Sequence, residues 1–298
     1  MSALLPLEEA LARLLALAEA APIAEAETLP AGTAAGRVLA EPLRSGVDLP
    51  PWPNSAMDGY ALCLADWQGE PLAVSQQVFA GQAPAPLARG TCARIFTGAP
   101  LPAGADTVEM QENVTVQADG RVHFREALRV GKNVRPRGQE AVVGETLLDA
   151  GTRLGPVELG VAASVGVAEL RVRRRPRVAL LSTGDELVEP GRPLGAGQIY
   201  NSNRALLAAW LERLGCAVED AGILPDDLAL TRARLAELAG ADLILSTGGV
   251  SAGEADFLGQ LLREEGELAL WKLALKPGKP LTCGSYAGTP LIGLPGNP

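Results

Sequence analysis

Residues 177–224 read RVALLSTGDELVEPGRPLGAGQIYNSNRALLAAWLERLGCAVEDAGIL. An apolar run, 177–183, ends in hydroxyl residues and a glycine-containing loop. A helical run, 203–214, closes on Gly215, a residue that takes the left-handed conformation at a helix end without a side-chain penalty. A second apolar run, 218–224, follows and leads to Pro225, Asp226 and Asp227. Strand, helix and strand in that order predict a parallel sheet with crossover helices.

The pattern continues downstream. A helix is expected over 228–239, a strand at DLILSTGG (242–249), a helix over 255–265, and strands at ELALWKLAL (267–275) and TPLIGL (289–294). Residues 176–298 are therefore read as one α/β domain. Its last buried strand meets Pro295–Pro298 where a covering helix is expected, so the domain reads as truncated. Upstream the texture changes. Between residues 58 and 140, short β-rich pieces (LAVSQQVFA, CARIFTG, DTVEM, NVTVQA, RVHFREA) alternate with Gly and Pro turns, the mark of a small mostly β domain. An amphipathic helix is expected over 6–20, with Leu5, Leu11, Leu14, Leu15 and Leu17 on its apolar face, and a strand over 36–43. Residues 1–45 and 141–175 can form one discontinuous linking domain with the β domain, 46–140, inserted in it; periodicity alone does not fix that grouping.

The chain has 298 residues, is 47% apolar and 20% charged, and carries a net charge of −9. Such an acidic balance disfavours general nucleic-acid binding, which needs a basic surface, and leaves room for an anionic small molecule where basic residues cluster. No apolar run is long enough for a membrane span. Glu8 and Glu9 stand where a signal peptide would carry basic residues, so a cytoplasmic protein with reduced thiols is expected. One histidine, His123, and four dispersed cysteines cannot build a Cys/His zinc site. They also leave little room for a Ser-His-Asp triad.

Ligands of open α/β sheets bind beyond the carboxyl ends of the strands. Those ends carry Ser182–Glu186, Asp226–Asp227, the run Ser246–Asp256, the lysines 272, 276 and 279, and Gly293–Pro298. Gly248, Gly249 and Gly253 expose amides while Ser246, Thr247 and Ser251 add hydroxyls, a composition suited to cradling an oxyanion. No P-loop pattern is present. Lys272 and Lys276 fall in or beside a strand read as buried. Unpaired charge there is costly, which points to an anionic ligand, with snorkelling as the plainer alternative. Asp185–Glu186 also fits a helix start, and Asp226–Asp227 also fits a helix cap. Taken singly, SAMDGYA (55–61), IFTGAP (95–100) and the basic loop 132–140 are turns. The run Arg171–Arg177 reads as a solvated linker and His123 as structural.

Taken together, SAMDGYA, IFTGAPLPAGAD (95–106), NVRPRG (133–138), STGDEL (182–187), GQIYNSN (197–203), STGGVSAGEADF (246–257), KPGKP (276–280) and GLPGNP (293–298) resemble the molybdopterin molybdenumtransferases, the MoeA family. The resemblance runs from about residue 5 to the last residue. It implies an α/β molybdopterin-binding domain, an inserted mostly β domain, the discontinuous linking domain and, beyond the last residue here, the rest of the α/β domain and a small β-barrel. It implies insertion of molybdate into adenylylated molybdopterin, with Mg²⁺ and release of AMP. By the same resemblance Asp58, Thr97, Glu186, Lys272 and Lys276 are catalytic. Arg135, Ser246, Gly248, Gly249, Ser251, Gly253, Lys279, Pro295 and Gly296 contact substrate. Asp226, Asp256 and Glu140 hold metal, with Asp227 as the alternative to Asp226. A homodimer whose site is shared between subunits is implied, with an adenylyltransferase or a molybdoenzyme as further partners. Tungsten in place of molybdenum, a non-catalytic pterin-binding scaffold and a molybdopterin adenylyltransferase are the competing readings.

Overall fold

A computed structural model describes residues 5–249, 257–271 and 281–296. The chain forms two compact units. One joins Met1–Glu27 to Arg173–Pro298; the other is Thr28–Val172. The first element is α1 (Leu7–Ala20).

The Thr28–Val172 unit is built from β1 (Asn54–Ser55), β2 (Gly59–Leu62), β3 (Ala73–Val78), β4 (Thr91–Ile95), β5 (Thr107–Met110), β6 (Val134–Arg135) and α2 (Pro156–Ser164). Its main sheet has the order β3-β4-β2-β5. Successive side chains of a strand face opposite sides, and here both sides are covered. Tyr60, Leu62 and Cys92 pack with Leu72, Val114, Val122 and Phe124 on one face. Ala61, Ala93 and Ile95 pack with Val78, Ala99 and Val108 on the other. Burial pushes the Cys92 thiol up to about 12. Gly59 is demanded by closeness: a Cβ there would lie 1.9 Å from the Glu109 carbonyl oxygen.

A separate core in this unit joins Ala34, Leu39 and Leu43 to Leu154, Ala162, Leu170 and Val172. The strand expected over 36–43 is not continuous. Val38 and Leu39 make single bridges to Arg153 and Val172, and only Leu43–Arg44 forms a short strand. The positive φ of Gly36 and the Leu39 contacts break the alternation into separate anchors.

The other unit contains β7 (Arg177–Thr183), α3 (Ser202–Leu214), β8 (Ala217–Leu224), α4 (Leu228–Glu237), β9 (Leu243–Thr247), α5 (Phe257–Glu264), β10 (Glu267–Trp271), β11 (Thr282–Tyr286) and β12 (Thr289–Leu294). Sheet order is β8-β7-β9-β12-β11-β10. The first four strands are parallel, as the strand–helix alternation requires. The last two are antiparallel and add a hairpin edge to the expected parallel sheet. β11 and β12 are joined through Ala287 and Gly288, both at positive φ, a tight hairpin turn.

Alternation along the strands sorts the helices. Ala179, Leu181, Ile244 and Leu291 face α4 and α5 through Leu235, Leu258, Leu261 and Leu262. Val178, Leu180 and Leu245 face α3 through Leu207, Ala208 and Leu211, with Ile292 and Leu294 beside them. Ile292 and Leu294 also meet Ala10 and Leu14 of α1. So α1 packs on the α/β sheet. Its contact is narrow: Ala10 is its buried residue, and Leu11, Leu15 and Leu17 are exposed, contrary to the expected apolar face.

The arginine run is not a free linker. Arg174 grips Asp242 with both terminal nitrogens, at 2.5 and 2.8 Å, and also pairs with Glu25. Its amide donates to the Glu25 carbonyl at 3.0 Å. A bidentate guanidinium–carboxylate pair of this kind fixes geometry as well as charge.

Candidate active site

In the α/β unit the ends of β7, β8, β9 and β12 stand in register: Thr183 beside Leu224, Ser182 beside Thr247, and Thr247 beside Leu294. The segments leaving these strands are tied across the sheet. The Gly248 amide donates to the Leu294 carbonyl at 3.1 Å and the Gly184 amide to Leu224 at 3.1 Å. Gly248 and Gly249 have φ of +85° and +66°. A Cβ on Gly248 would meet the Thr183 carbonyl oxygen at 2.4 Å, and one on Gly249 would meet Thr183 Oγ1 at 2.8 Å. Two glycines are what lets the loop turn against the end of β7.

A small pocket opens at this edge between Thr183, Glu186, Tyr200, Asn201, Thr247 and Gly296. Asn201 caps α3, its side-chain oxygen accepting from the Arg204 amide at 3.3 Å. Its Nδ2 has no partner, nor do Thr183 Oγ1 and Ser246 Oγ, although all three atoms are buried. Buried polar groups are normally hydrogen-bonded, and an unpaired one is costly. Two of these residues, Thr183 and Asn201, line the pocket. Asn203 closes its rim by donating from Nδ2 to the Gly296 carbonyl at 2.9 Å.

Carboxylates crowd the same edge. The Asp226 amide donates to Asp185 Oδ1 at 3.1 Å. Burial first, then the charges of Asp185 and Glu186, push the Asp226 carboxyl above the usual carboxylate range. Asp227 is occupied differently: its Oδ1 accepts from the Leu230 amide at 2.8 Å and caps α4. Asp227 is thus the helix cap of the pair, and Asp226 caps no helix.

In the Thr28–Val172 unit a second constellation forms where three segments meet at β1. β1 pairs with β6, setting Arg135 opposite Asn54. The Ser55 amide donates to the Ala99 carbonyl at 3.0 Å, and the Ala56 amide to Asn133 at 2.9 Å. Asp58 and Thr97, which sit past facing ends of β2 and β4, meet directly. Asp58 Oδ1 accepts from the Thr97 amide at 2.8 Å and from Thr97 Oγ1 at 2.7 Å. These bonds, the amide foremost, hold the Asp58 carboxyl below its ordinary range.

Asp58, Thr97 and Arg135 are therefore gathered by one hub. Glu140 is exposed and tied only by its backbone, its amide donating to the Leu49 carbonyl. Lys132, read as part of a solvated turn, instead neutralises the fully buried Glu109 at 2.6 Å. Glu186, Asp226, Ser246, Gly248, Gly249, Pro295 and Gly296 belong to the α/β unit. Ser251, Gly253, Asp256, Lys272, Lys276 and Lys279 lie outside the described residues. Of the predicted metal set, Asp226 falls in the α/β unit and Glu140 in the Thr28–Val172 unit, and no group of three His, Cys, Asp or Glu side chains forms a metal site among the described residues. No described helix is long and apolar enough to cross a membrane. Thr183 and Asn201 lie inside the STGDEL and GQIYNSN motifs, but motif reading assigned neither a contact. The signal for Asn201 is its place as the polar residue ahead of the helical run 203–214.

Residues 5–166 match the MoeA N-terminal region, domains I and II, and residues 179–298 match the probable molybdopterin binding domain. The chain belongs to the MoeA family. It is 44% identical to a molybdopterin molybdenumtransferase of Haemophilus influenzae, over 89% of this chain and 66% of the relative. It is 41% identical to that of a Nostoc species, over 88% of this chain and 63% of the relative. The chain thus spans just under two thirds of the length of these curated relatives. A MoeA crystal structure from Pyrococcus horikoshii matches 99% of this chain and 75% of its own, with a TM-score of 0.83 at 33% identity. MoeA membership accounts for both constellations lying in one chain, since each motif set falls in one of the two matched regions.

Proposed function

We propose that the intact protein is a molybdopterin molybdenumtransferase: it inserts molybdate into the dithiolene of adenylylated molybdopterin and releases AMP, giving molybdenum cofactor. The observation that carries this reading is the pocket edge of the α/β unit, where buried Thr183 Oγ1 and Asn201 Nδ2 lack partners beside a glycine turn. An anionic, oxygen-rich substrate supplies those partners and benefits from fixed donors that need no reorganisation. Lys272, Lys276 and Lys279 add positive charge, and Ser251, Gly253 and Arg135 add further oxyanion contacts. Asp58, held ionised and oriented by Thr97, is the second pole of the site.

Mg²⁺ is part of the proposal, with Asp226 as the acidic group of the strand-end edge that caps no helix. Burial first, then the charges of Asp185 and Glu186, raise the Asp226 carboxyl, and a cation beside it would favour its charged form. An open set of one or two carboxylates suits a metal that keeps water and phosphate oxygens as its other ligands. Asp226, Asp256 and Glu140 would hold it, and it would neutralise phosphate charge as AMP departs. The chain's own groups bind the anions, exclude water at the glycine turn and keep Asp58 charged.

A homodimer is part of the proposal. Helices α1 and α3 cover one sheet face and share Ile292 and Leu294, yet Leu7, Leu11, Leu15, Leu206, Trp210 and Leu214 on them are about half exposed. These exposed apolar side chains support a second copy as their covering partner, and the site shared between subunits is part of the same proposal. The place of work is the cytoplasm, with hand-over from an adenylyltransferase and to a molybdoenzyme.

The test is AMP release from adenylylated molybdopterin and Mg²⁺, with molybdate, tungstate or neither, using the full-length protein and its Asp58→Asn variant. Release that needs the oxyanion and Asp58 supports the transferase. Binding without release by the full-length protein would leave a scaffold.

A further inference from the structure

Arg94 stands in β4 directly opposite Tyr60 of β2. Its Nη1 donates to the Gly59 carbonyl at 2.9 Å, and its Nη2 to Gln111 Oε1 at 2.5 Å. Gln111 returns its own amide to the Asp58 carbonyl at 3.0 Å. The Asp58–Gly59 peptide is thereby enclosed by one guanidinium and one glutamine. The same guanidinium lies 4.6 Å from the centre of the Phe96 ring and 5.1 Å from that of Tyr60. Phe96 in turn stacks on Phe79 at 4.5 Å, nearly parallel. Phe96 immediately precedes Thr97. One side chain thus touches the neighbours of both residues whose contact defines the second constellation.

We propose that Arg94 is a positioning residue for the Asp58–Thr97 pair: by bonding the Gly59 carbonyl and stacking on Phe96 at once, it sets the carboxylate and the hydroxyl at their contact distance. The proposal rests on the reading that Asp58 takes part in metal insertion. Only a planar, forked and stackable cation meets the two demands, so lysine does not replace it. Its charge also contributes to holding Asp58 ionised, after the two Thr97 hydrogen bonds. The other charges on elements around β2 are accounted for. Glu109 of β5 is neutralised by Lys132, Glu112 accepts from Gln111 at 3.2 Å, and Arg135 of β6 stands opposite Asn54.

The experiment uses the full-length protein with Arg94→Gln, Arg94→Lys and Gln111→Ala. Two quantities are read: kcat and KM for molybdate-dependent AMP release, and the titration of the Asp58 carboxyl by carbon-13 NMR, assigned by its loss in Asp58→Asn. Misplacement of a reacting group by about 1 Å costs on the order of a hundredfold. Arg94→Gln is expected to lower kcat by roughly tenfold to a hundredfold with KM little changed, and to move the Asp58 titration to higher pH. Arg94→Lys is expected to restore the titration but not kcat. Gln111→Ala, which keeps the guanidinium and removes one arm, is expected to fall between. Wild-type kcat in folded Arg94→Gln, or an unmoved Asp58 titration, overturns the proposal. Normal turnover by Asp58→Asn instead removes the role assigned to Asp58, while the titration still reports separately whether Arg94 governs that carboxylate.

Discussion

A single oxygen of Asp58 accepts both the amide and the hydroxyl of Thr97, at 2.8 and 2.7 Å. The two residues are far apart in sequence and are joined because β2 and β4 run antiparallel, with Gly59 opposite Ile95. The carboxylate is held from one side, leaving its second oxygen for a ligand.

Thr97→Val keeps the amide bond and removes the hydroxyl bond. Asp58 has its carboxyl lowered in the folded chain. Its contribution to stability is present above the unfolded carboxylate value and is lost as pH falls through the folded one. Thr97→Val is expected to move that acid limb upward, and to slow AMP release on the order of tenfold at neutral pH. Thr97→Ser should stay near wild type. A pH series of unfolding midpoints and initial rates for the three proteins checks both statements.

Asp226 and Asp227 should separate cleanly. Asp227→Ala removes the α4 cap and is expected to cost about 1 kcal/mol of stability while the folded fraction keeps its activity. Asp226 has a raised carboxyl. The stability it supplies is present below the unfolded value and lost as pH rises through the folded one. Asp226→Asn should therefore remove that decline and weaken the Mg²⁺ dependence of AMP release. Denaturant curves at several pH values, paired with Mg²⁺ titrations, distinguish the two substitutions.

Gly59→Ala places a carbon 1.9 Å from the Glu109 carbonyl oxygen, between two strands that cannot part without losing their ladder. A loss of roughly 3 kcal/mol or more is expected. Limited proteolysis should then cut first within residues 28–172, and equal resistance to wild type would count against this account.

Leu206→Glu combined with Trp210→Glu puts charge on the exposed stripe of α3 without touching Leu207 or Leu211, which face the sheet. The proposed dimer should dissociate to monomer in sedimentation equilibrium, and AMP release should fall with it. A dimer that persists would place the contact elsewhere.

The βαβ pattern and the glycine-rich strand ends were legible because buried parallel strands and crossover helices impose strong periodicities. β11 was not, because its hairpin turn sets Ala287 at φ 49° before Gly288, a weaker signal than the Asn-Gly or Gly-Gly pair such turns favour. The apolar stripe of α1 pointed to a buried face, yet only Ala10 and Leu14 meet the sheet; amphipathicity does not say whether the apolar side faces its own chain. Arg174 looked like part of a solvated run because its partners, Glu25 and Asp242, are remote in sequence. Motif reading found Asp58 and Thr97 separately, but their shared hydrogen bonds depend on strand register, which no local spacing encodes.

The Arg174 amide bonded to the Glu25 carbonyl means that the chain leaves the α/β unit and returns to it at neighbouring points. A domain whose two ends open side by side tolerates a guest of any length between them. The whole block from Thr28 to Val172 is in this sense a cassette, entered and left at one place on the α/β unit. The strand-end pocket and the Asp58–Thr97 contact thus stand on separate units of one chain, each with its own core.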